Sequence, residues 1–260
     1  MKLLLTNDDG VFAPGLLALQ EAAAALGAVT VVAPDRSRSG ASHAVTLHKP
    51  LRIQSVTLAN GAPALATNGT PADCVIVGCH AEFGGPPDLV LSGINDGPNL
   101  GEDITYSGTV SAAMEACLLG VPALALSVAG KPVRDFAPAA RLTAALARIV
   151  LERGLPPDTF LNVNFPDCPE DELLGIEVTH KSARRYQGEL ERRVDPRGYA
   201  YYWVGGGISE GEQSEGSDAY AVTQRRVSIT PVHLDLTHHA LRNAMQSWNL
   251  DQLLTRKTPA

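Results

Sequence analysis

The feature that most constrains this chain is an alternation. Short apolar runs, rich in Leu, Val and Ala, take turns with stretches of helical periodicity. Strands are read at Leu3–Thr6, Val29–Ala33, Asp88–Leu91, Pro122–Val128 and Phe160–Asn164. Helices are read at Pro14–Leu26, Thr70–Phe83, Gly108–Leu119 and Asp135–Arg153. Pro14 stands at a helix first turn, where its missing N–H costs nothing, and Gly27 marks the stop. Strands separated by helices cross over and pair in parallel, with both faces covered. The expected fold is therefore α/β, a Rossmann-like doubly wound, mostly parallel sheet. One local exception is read: Leu51–Leu58 and Ala62–Ala66 flank Asn60-Gly61, a hairpin signal.

The last third reads differently. Ile176–Lys181, Tyr199–Val204 and Val227–Leu236 are strand-like, with Pro231 interrupting the last. Residues 205–218 are Gly/Ser/Glu-rich and read as a loop, Ala240–Leu254 as an amphipathic helix and Thr255–Ala260 as a loose tail. The expected organisation is one domain over 1–260. Residues 1–170 form its Rossmann-like core, and 171–260 a C-terminal β-hairpin and helix excursion that packs on a neighbour, such as another subunit.

Net charge is −7, which argues against a nucleic-acid polymer as partner because phosphate backbones reward a basic face. A small phosphorylated ligand stays compatible, since a bound cation inverts the sign of an acidic site. No apolar run reaches the ~18 residues of a membrane helix, and Leu3–Leu5 is too short for a signal-peptide core. A cytoplasmic protein without membrane contact is expected. Cys74, Cys79, Cys117 and Cys168 form no CxxC pair and are expected as reduced thiols.

Open α/β sheets bind ligands at the carboxyl ends of their strands. After the first strand comes Asn7-Asp8-Asp9-Gly10; after the second, PDRSRSGAS with Ser37, Ser39 and Ser42; after Asp88–Leu91, SGINDGPNLG with Asn95, Asp96 and Asn99. Each loop alone also reads as a turn or connector. Together they place two carboxylates, hydroxyls and amides on one edge. Adjacent carboxylates repel unless a cation offsets them, and oxygen-only donors suit a hard cation such as Mg²⁺ or Mn²⁺. Ser107-Gly108-Thr109 opens a helix, which reads either as ordinary N-capping or as a seat for an anion.

Other patterns weaken on inspection. Gly207-Ile208-Ser209-Glu210-Gly211 matches G-x-S-x-G but lacks the strand before and the helix after. His80-Ala81-Glu82 lacks the P-C-x-x-C partner of zinc deaminases. No GxxxxGK[ST] or strand-following GxGxxG is present. His43 reads as a surface or structural residue, His233, His238 and His239 as interface or surface residues, and Arg36 and Arg38 as solvated, with contact to an anion as the alternative.

NDDG at 7–10, SGIN-x-G-x-N-x-G at 92–101 and YSGTVSAA at 106–113 resemble the SurE family of survival-protein nucleotidases. NGTPADC at 68–74 and VSITP at 227–231 are similar to that family too, in the same order along nearly the whole chain. Gln224-Arg225-Arg226 departs from relatives, where a Gly is common before VSITP.

The resemblance implies a divalent-metal-dependent phosphatase of nucleoside 5′- and 3′-monophosphates, with short polyphosphate as a further substrate. It implies one metal ion per subunit on Asp8, Asp9, Ser39 and Asn95, phosphate contacts from Asn99, Ser107, Gly108 and Thr109, and a homodimer or homotetramer built through the C-terminal segment. Asp8 or Asp9 is then the catalytic residue that handles the attacking water. Because the two Asp are adjacent and not spaced as D-x-D, direct attack by water is expected over an aspartyl-phosphate. The competing reading is a metal-dependent nucleotide-binding module that uses the same loops without turnover.

Overall fold

The computed structural model describes residues 1–130, 132–183, 185–186, 188–205, 208–209 and 214–254. Its strands are β1 (Lys2–Thr6), β2 (Ala28–Pro34), β3 (Ile53–Thr57), β4 (Pro63–Thr67), β5 (Leu89–Asp96), β6 (Ala123–Ala129), β7 (Thr159–Pro166), β8 (Gly175–Val178), β9 (Arg185–Tyr186), β10 (Glu189–Val194), β11 (Ala200–Gly205), β12 (Ile208–Ser209) and β13 (Arg226–His233). Its helices are α1 (Pro14–Ala23), α2 (Pro71–Cys79), α3 (Gly108–Leu118), α4 (Ala137–Arg153), α5 (Asp218–Thr223) and α6 (His239–Met245).

Among the described residues, nine strands join in one sheet in the order β3-β4-β2-β1-β5-β6-β7-β13-β8. The six from β4 to β7 run parallel, as expected for strands joined through helices. β3 pairs antiparallel with β4 through the turn at Asn60-Gly61, where Gly61 has φ +86°. β1 lies between β2 and β5, so the chain steps to one side of β1 and later to the other. That change of direction opens a crevice at the carboxyl end of β1.

Why β1 sits centrally follows from its residues. Leu3–Thr6 are buried in succession, the mark of a strand covered on both faces. Successive side chains point to opposite faces. Leu3 and Leu5 pack with Leu16, Leu19 and Ala147 on one side, where α1 and α4 lie. Leu4 packs with Val75, Val110 and Ala113 on the other, under α2 and α3. α2 comes close because its Gly78 has no side chain: a Cβ there would stand 2.4 Å from Leu4 Cδ1.

The helix starts are chemically set. Pro71 occupies the first turn of α2, and Thr70 with Asp73 forms a capping box. Ser107 caps α3 by accepting from the Val110 amide.

Several elements differ from the sequence expectation. β5 runs on through Ser92–Asp96, residues read as loop, with a bulge between Ser92 and Asn95. β13 passes through Pro231. β8 covers β13 only from Arg226 to Ile229, so Pro231 lies where β13 has a single neighbour, a position that tolerates the missing N–H. β8 and β13 thus extend the central sheet from within 171–260, while β10 and β11 pair with each other apart from it. The helix read at Ala240–Leu254 is shorter, α6 followed by 3-10 turns at Gln246–Trp248 and Leu250–Leu253.

Of the loop read at 205–218, residues 206–207 and 210–213 lie outside the described residues, and with them most of the G-x-S-x-G match; the tail at 255–260 lies outside them as well. All four cysteines are free thiols. No helix among the described residues is long and apolar enough to cross a membrane.

Candidate active site

Four chain segments meet at the carboxyl end of β1. The first is the turn Asn7–Gly10, bracketed by its own leading side chain: Asn7 Nδ2 donates to the Gly10 carbonyl (2.9 Å), and the Gly10 amide donates to Asn7 Oδ1 (3.2 Å). Gly10 has φ +107°, and a Cβ there would stand 3.2 Å from the Arg36 carbonyl carbon. Only glycine lets the second segment, 35–42, come this near. The Arg38 amide donates to the Asp8 carbonyl at 2.7 Å and ties the two together.

The third segment, the end of β5, is tied to the first by Asp9: its Oδ2 accepts from the Asp96 amide at 3.1 Å. The fourth is the start of α3. Thr109 Oγ1 donates to Asp8 Oδ1 at 2.5 Å, and the Ser42 amide closes the ring by donating to the Tyr106 carbonyl at 3.1 Å.

Asp8 is 4% exposed. Burial pushes its carboxyl up, the Thr109 hydrogen bond opposes this, and the Asp9 charge adds to the push; the net direction is upward. The Thr109 backbone amide also stabilises the charged form, so the carboxylate already occupies part of the positive end of α3. Gly108 makes the approach possible, since a Cβ on it would meet Asp8 Cβ at 2.7 Å.

The donor set fits a hard cation. Two carboxylates stand side by side in the crevice, and the buried one is driven toward neutrality by its surroundings, a strain that a cation relieves. Asn95 Nδ2 donates to the Gly97 carbonyl at 2.8 Å, which leaves its Oδ1 as the atom with lone pairs to offer. Ser39 lies on the exposed rim, its Oγ 3.0 Å from Ser37 Oγ. Among the described residues there is no group of three or more His, Cys, Asp and Glu side chains suited to a metal. Any metal here would have oxygen ligands that include hydroxyl and amide groups.

The remaining expected residues are placed as follows. Ser107 Oγ accepts from Val110, so it acts as the helix cap. Asn99 is buried, with Nδ2 on Ser127 Oγ (2.7 Å) and its backbone held by Asn162 and Asn164. One of its two amide hydrogens is therefore engaged within the sheet edge. Arg38 is turned away, its guanidinium on the Asn68 carbonyl at 2.7 Å.

Some long-range contacts around the crevice are not signalled locally. His43 Nε2 is 2.7 Å from Glu115 Oε2 on α3. Asp73 accepts from the Thr46 amide at 2.9 Å, and Thr70 Oγ1 donates to the Ala44 carbonyl at 2.7 Å. The strap that carries Ser39 is thus pinned to the start of α2 and to the second half of α3.

A mostly parallel sheet with helices on both faces and polar loops gathered at its strand-order switch defines an α/β protein of the doubly wound class. The family model described as Survival protein SurE matches residues 3–188. A protein of Geobacter sulfurreducens named 5′-nucleotidase SurE is 53% identical over 251 residues, covering 96% of this chain and 94% of its own length. Its namesake in Geobacter metallireducens is 52% identical over 254 residues, at 97% and 99% coverage. The crystal structure of a SurE protein from Aquifex aeolicus superimposes with a TM-score of 0.82 at 44% identity, covering 95% of this chain and 98% of that one. The chain belongs to the SurE family.

Proposed function

We propose that this chain is a 5′-nucleotidase, a divalent-metal-dependent phosphatase that converts nucleoside 5′- and 3′-monophosphates to nucleoside and phosphate. Relatives named 5′-nucleotidase at about half identity over nearly the whole chain support the reaction class. The observation that carries the reading is the buried Asp8, paired with Asp9 and hydrogen-bonded to Thr109 at the start of α3. Short polyphosphate belongs to the same reading, because it presents a similar terminal phosphoryl group.

Asp8, Asp9, Ser39 and Asn95 would hold one Mg²⁺ or Mn²⁺ ion per subunit. When bound, such an ion offsets the paired carboxylates and stabilises charge on phosphoryl oxygens. The protein's own contribution is positioning. Thr109 fixes the rotamer of Asp8. The Gly108 amide and the Ser107 hydroxyl offer donors to a phosphate oxygen, with Asn99 behind them. A carboxylate of the pair, Asp8 or Asp9, takes the proton of the attacking water. A loose phosphoryl-transfer transition state needs such placement more than covalent help.

A homodimer or homotetramer in the cytoplasm completes the reading. In support, β10 and β11 expose every residue, Leu190, Tyr202, Trp203 and Val204 among them, an apolar surface of the kind that partners cover.

The test is phosphate release from a panel of nucleoside monophosphates with Mg²⁺ or Mn²⁺. Release is expected, abolished by EDTA and reduced by about 10²-fold or more in Asp9→Asn, in line with the loss of a preorganised charged group. Absence of release from every nucleotide with every metal would overturn the enzyme reading and leave the binding module.

A further inference from the structure

On the side of Asp9 away from α3, the crevice continues into a cavity of about 680 Å³ between α1 and the segment leading into α4. That volume lies within the roughly 300–1,000 Å³ range of small-molecule pockets. Asp9 and Asp96 line its inner end, so it shares a wall with the proposed metal site. Its sides are Leu17 and Ala18 of α1, facing Val133 and Phe136.

The charges around it select a type of occupant. Asp9, Glu21, Asp96 and Asp135 bring four carboxylates, and among the described residues of the lining Arg134 is the one cationic side chain. Three of the carboxylates each accept from a backbone amide: Asp9 Oδ2 from Asp96 at 3.1 Å, Asp96 Oδ1 from Val133 at 2.8 Å, and Asp135 Oδ1 from Ala137 at 2.9 Å. An anion would be repelled here. An uncharged ring with hydroxyl groups would be accepted, its flat face against Phe136 and Leu17 and its hydroxyls donating to carboxylates.

We propose that this cavity is the nucleoside subsite: the sugar and base of the substrate lie between α1 and the 132–137 segment, with the phosphate at the Asp8–Asp9 end. The inference rests on the nucleotidase reading and adds the place where the uncharged half of the substrate is held. The occupant follows from continuity with the phosphate end through Asp9, from apolar walls with one aromatic face, and from a lining that disfavours negative charge.

Filling the cavity from either wall tests this. Ala18→Phe and Val133→Phe alter residues that take no part in the metal or phosphate contacts. Each is expected to raise KM for AMP tenfold or more and to leave kcat/KM for phenyl phosphate, which has no sugar, within twofold of the parent. Adenosine binding, followed by saturation-transfer NMR, is expected in the parent and lost in both variants. Thermal unfolding identifies a variant that has failed to fold, and the opposite-wall variant then decides. An unchanged KM for AMP in folded variants, an equal loss on both phosphate esters, or adenosine binding that survives filling overturns the assignment. A parent that binds adenosine and loses it on filling, yet hydrolyses no nucleotide, supports the cavity and overturns the nucleotidase reading instead.

Discussion

Thr109 Oγ1 donates a 2.5 Å hydrogen bond to Asp8 Oδ1 across 101 positions of the chain. One end sits after the first strand and the other in the first turn of α3. The bond partly offsets the burial that pushes this carboxyl upward. Thr109→Val keeps the shape and removes the donor. Groups that orient metal ligands are worth about 10–100-fold in metal affinity or activity. A loss of that size is expected in Mn²⁺ affinity by calorimetry and in phosphate release, with Thr109→Ser restoring most of it. Parental Mn²⁺ affinity and rate in Thr109→Val would show that the bond does not position Asp8.

Gly108 is the neighbour that makes room. A Cβ at this position would stand 2.7 Å from Asp8 Cβ, 3.0 Å from Asp8 Oδ2 and 3.1 Å from Pro71 Cγ. Gly108→Ala must therefore push Asp8 or the start of α2 aside. Overpacking of this kind costs about 1–3 kcal/mol. Urea unfolding is expected to show that loss, together with at least a tenfold drop in phosphate release. A variant as stable and active as the parent would mean that the three elements move apart freely.

Asp73 links pH to the same region. Burial pushes its carboxyl up, but hydrogen bonds from Thr46 and Thr70 outweigh this and hold it below its ordinary value of 3.8. A carboxyl depressed in the folded state adds stability that is fully present above the unfolded value and is lost as pH falls through the folded one. Asp73→Asn also breaks the capping box, a change worth about 1 kcal/mol. The variant is expected to be less stable at pH 7, with the gap to the parent closing below about pH 4, near the unfolded carboxylate value. Urea midpoints at pH 7 and pH 3 check this. A gap that stays constant with pH would remove the charge from the explanation.

Much of the fold is legible in the sequence because local signals agree. Leu3–Leu5, Asn60-Gly61 and Thr70-Pro71-x-Asp73 each carry their own structural instruction, and the chain obeys all three. The end of β5 is not legible. Gly93, Asn95, Asp96 and Gly97 have turn composition, yet pairing with β6 across a bulge keeps Asn95 and Asp96 in a strand. Propensity loses there to tertiary hydrogen bonding.

The same limit applies to the candidate site. Asp8, Asp9 and Asn95 stand out by residue type at a strand end. The pin between His43 and Glu115 joins positions 72 apart, and nothing local in either segment signals the other. For Asn99 the family resemblance implies a phosphate contact from a loop amide. One hydrogen of its side-chain amide bonds Ser127 on β6, a partner that only the sheet order brings near.

The strand order also sets a schedule. During synthesis from the amino end, Asp8 and Asp9 emerge more than eighty residues before the Asp96 amide that receives Asp9, and longer still before Thr109. Until both partners have been made, neither of these two contacts can form. The two carboxylates therefore come first in the chain, and the crevice around them closes only once the fifth strand and the third helix have been made.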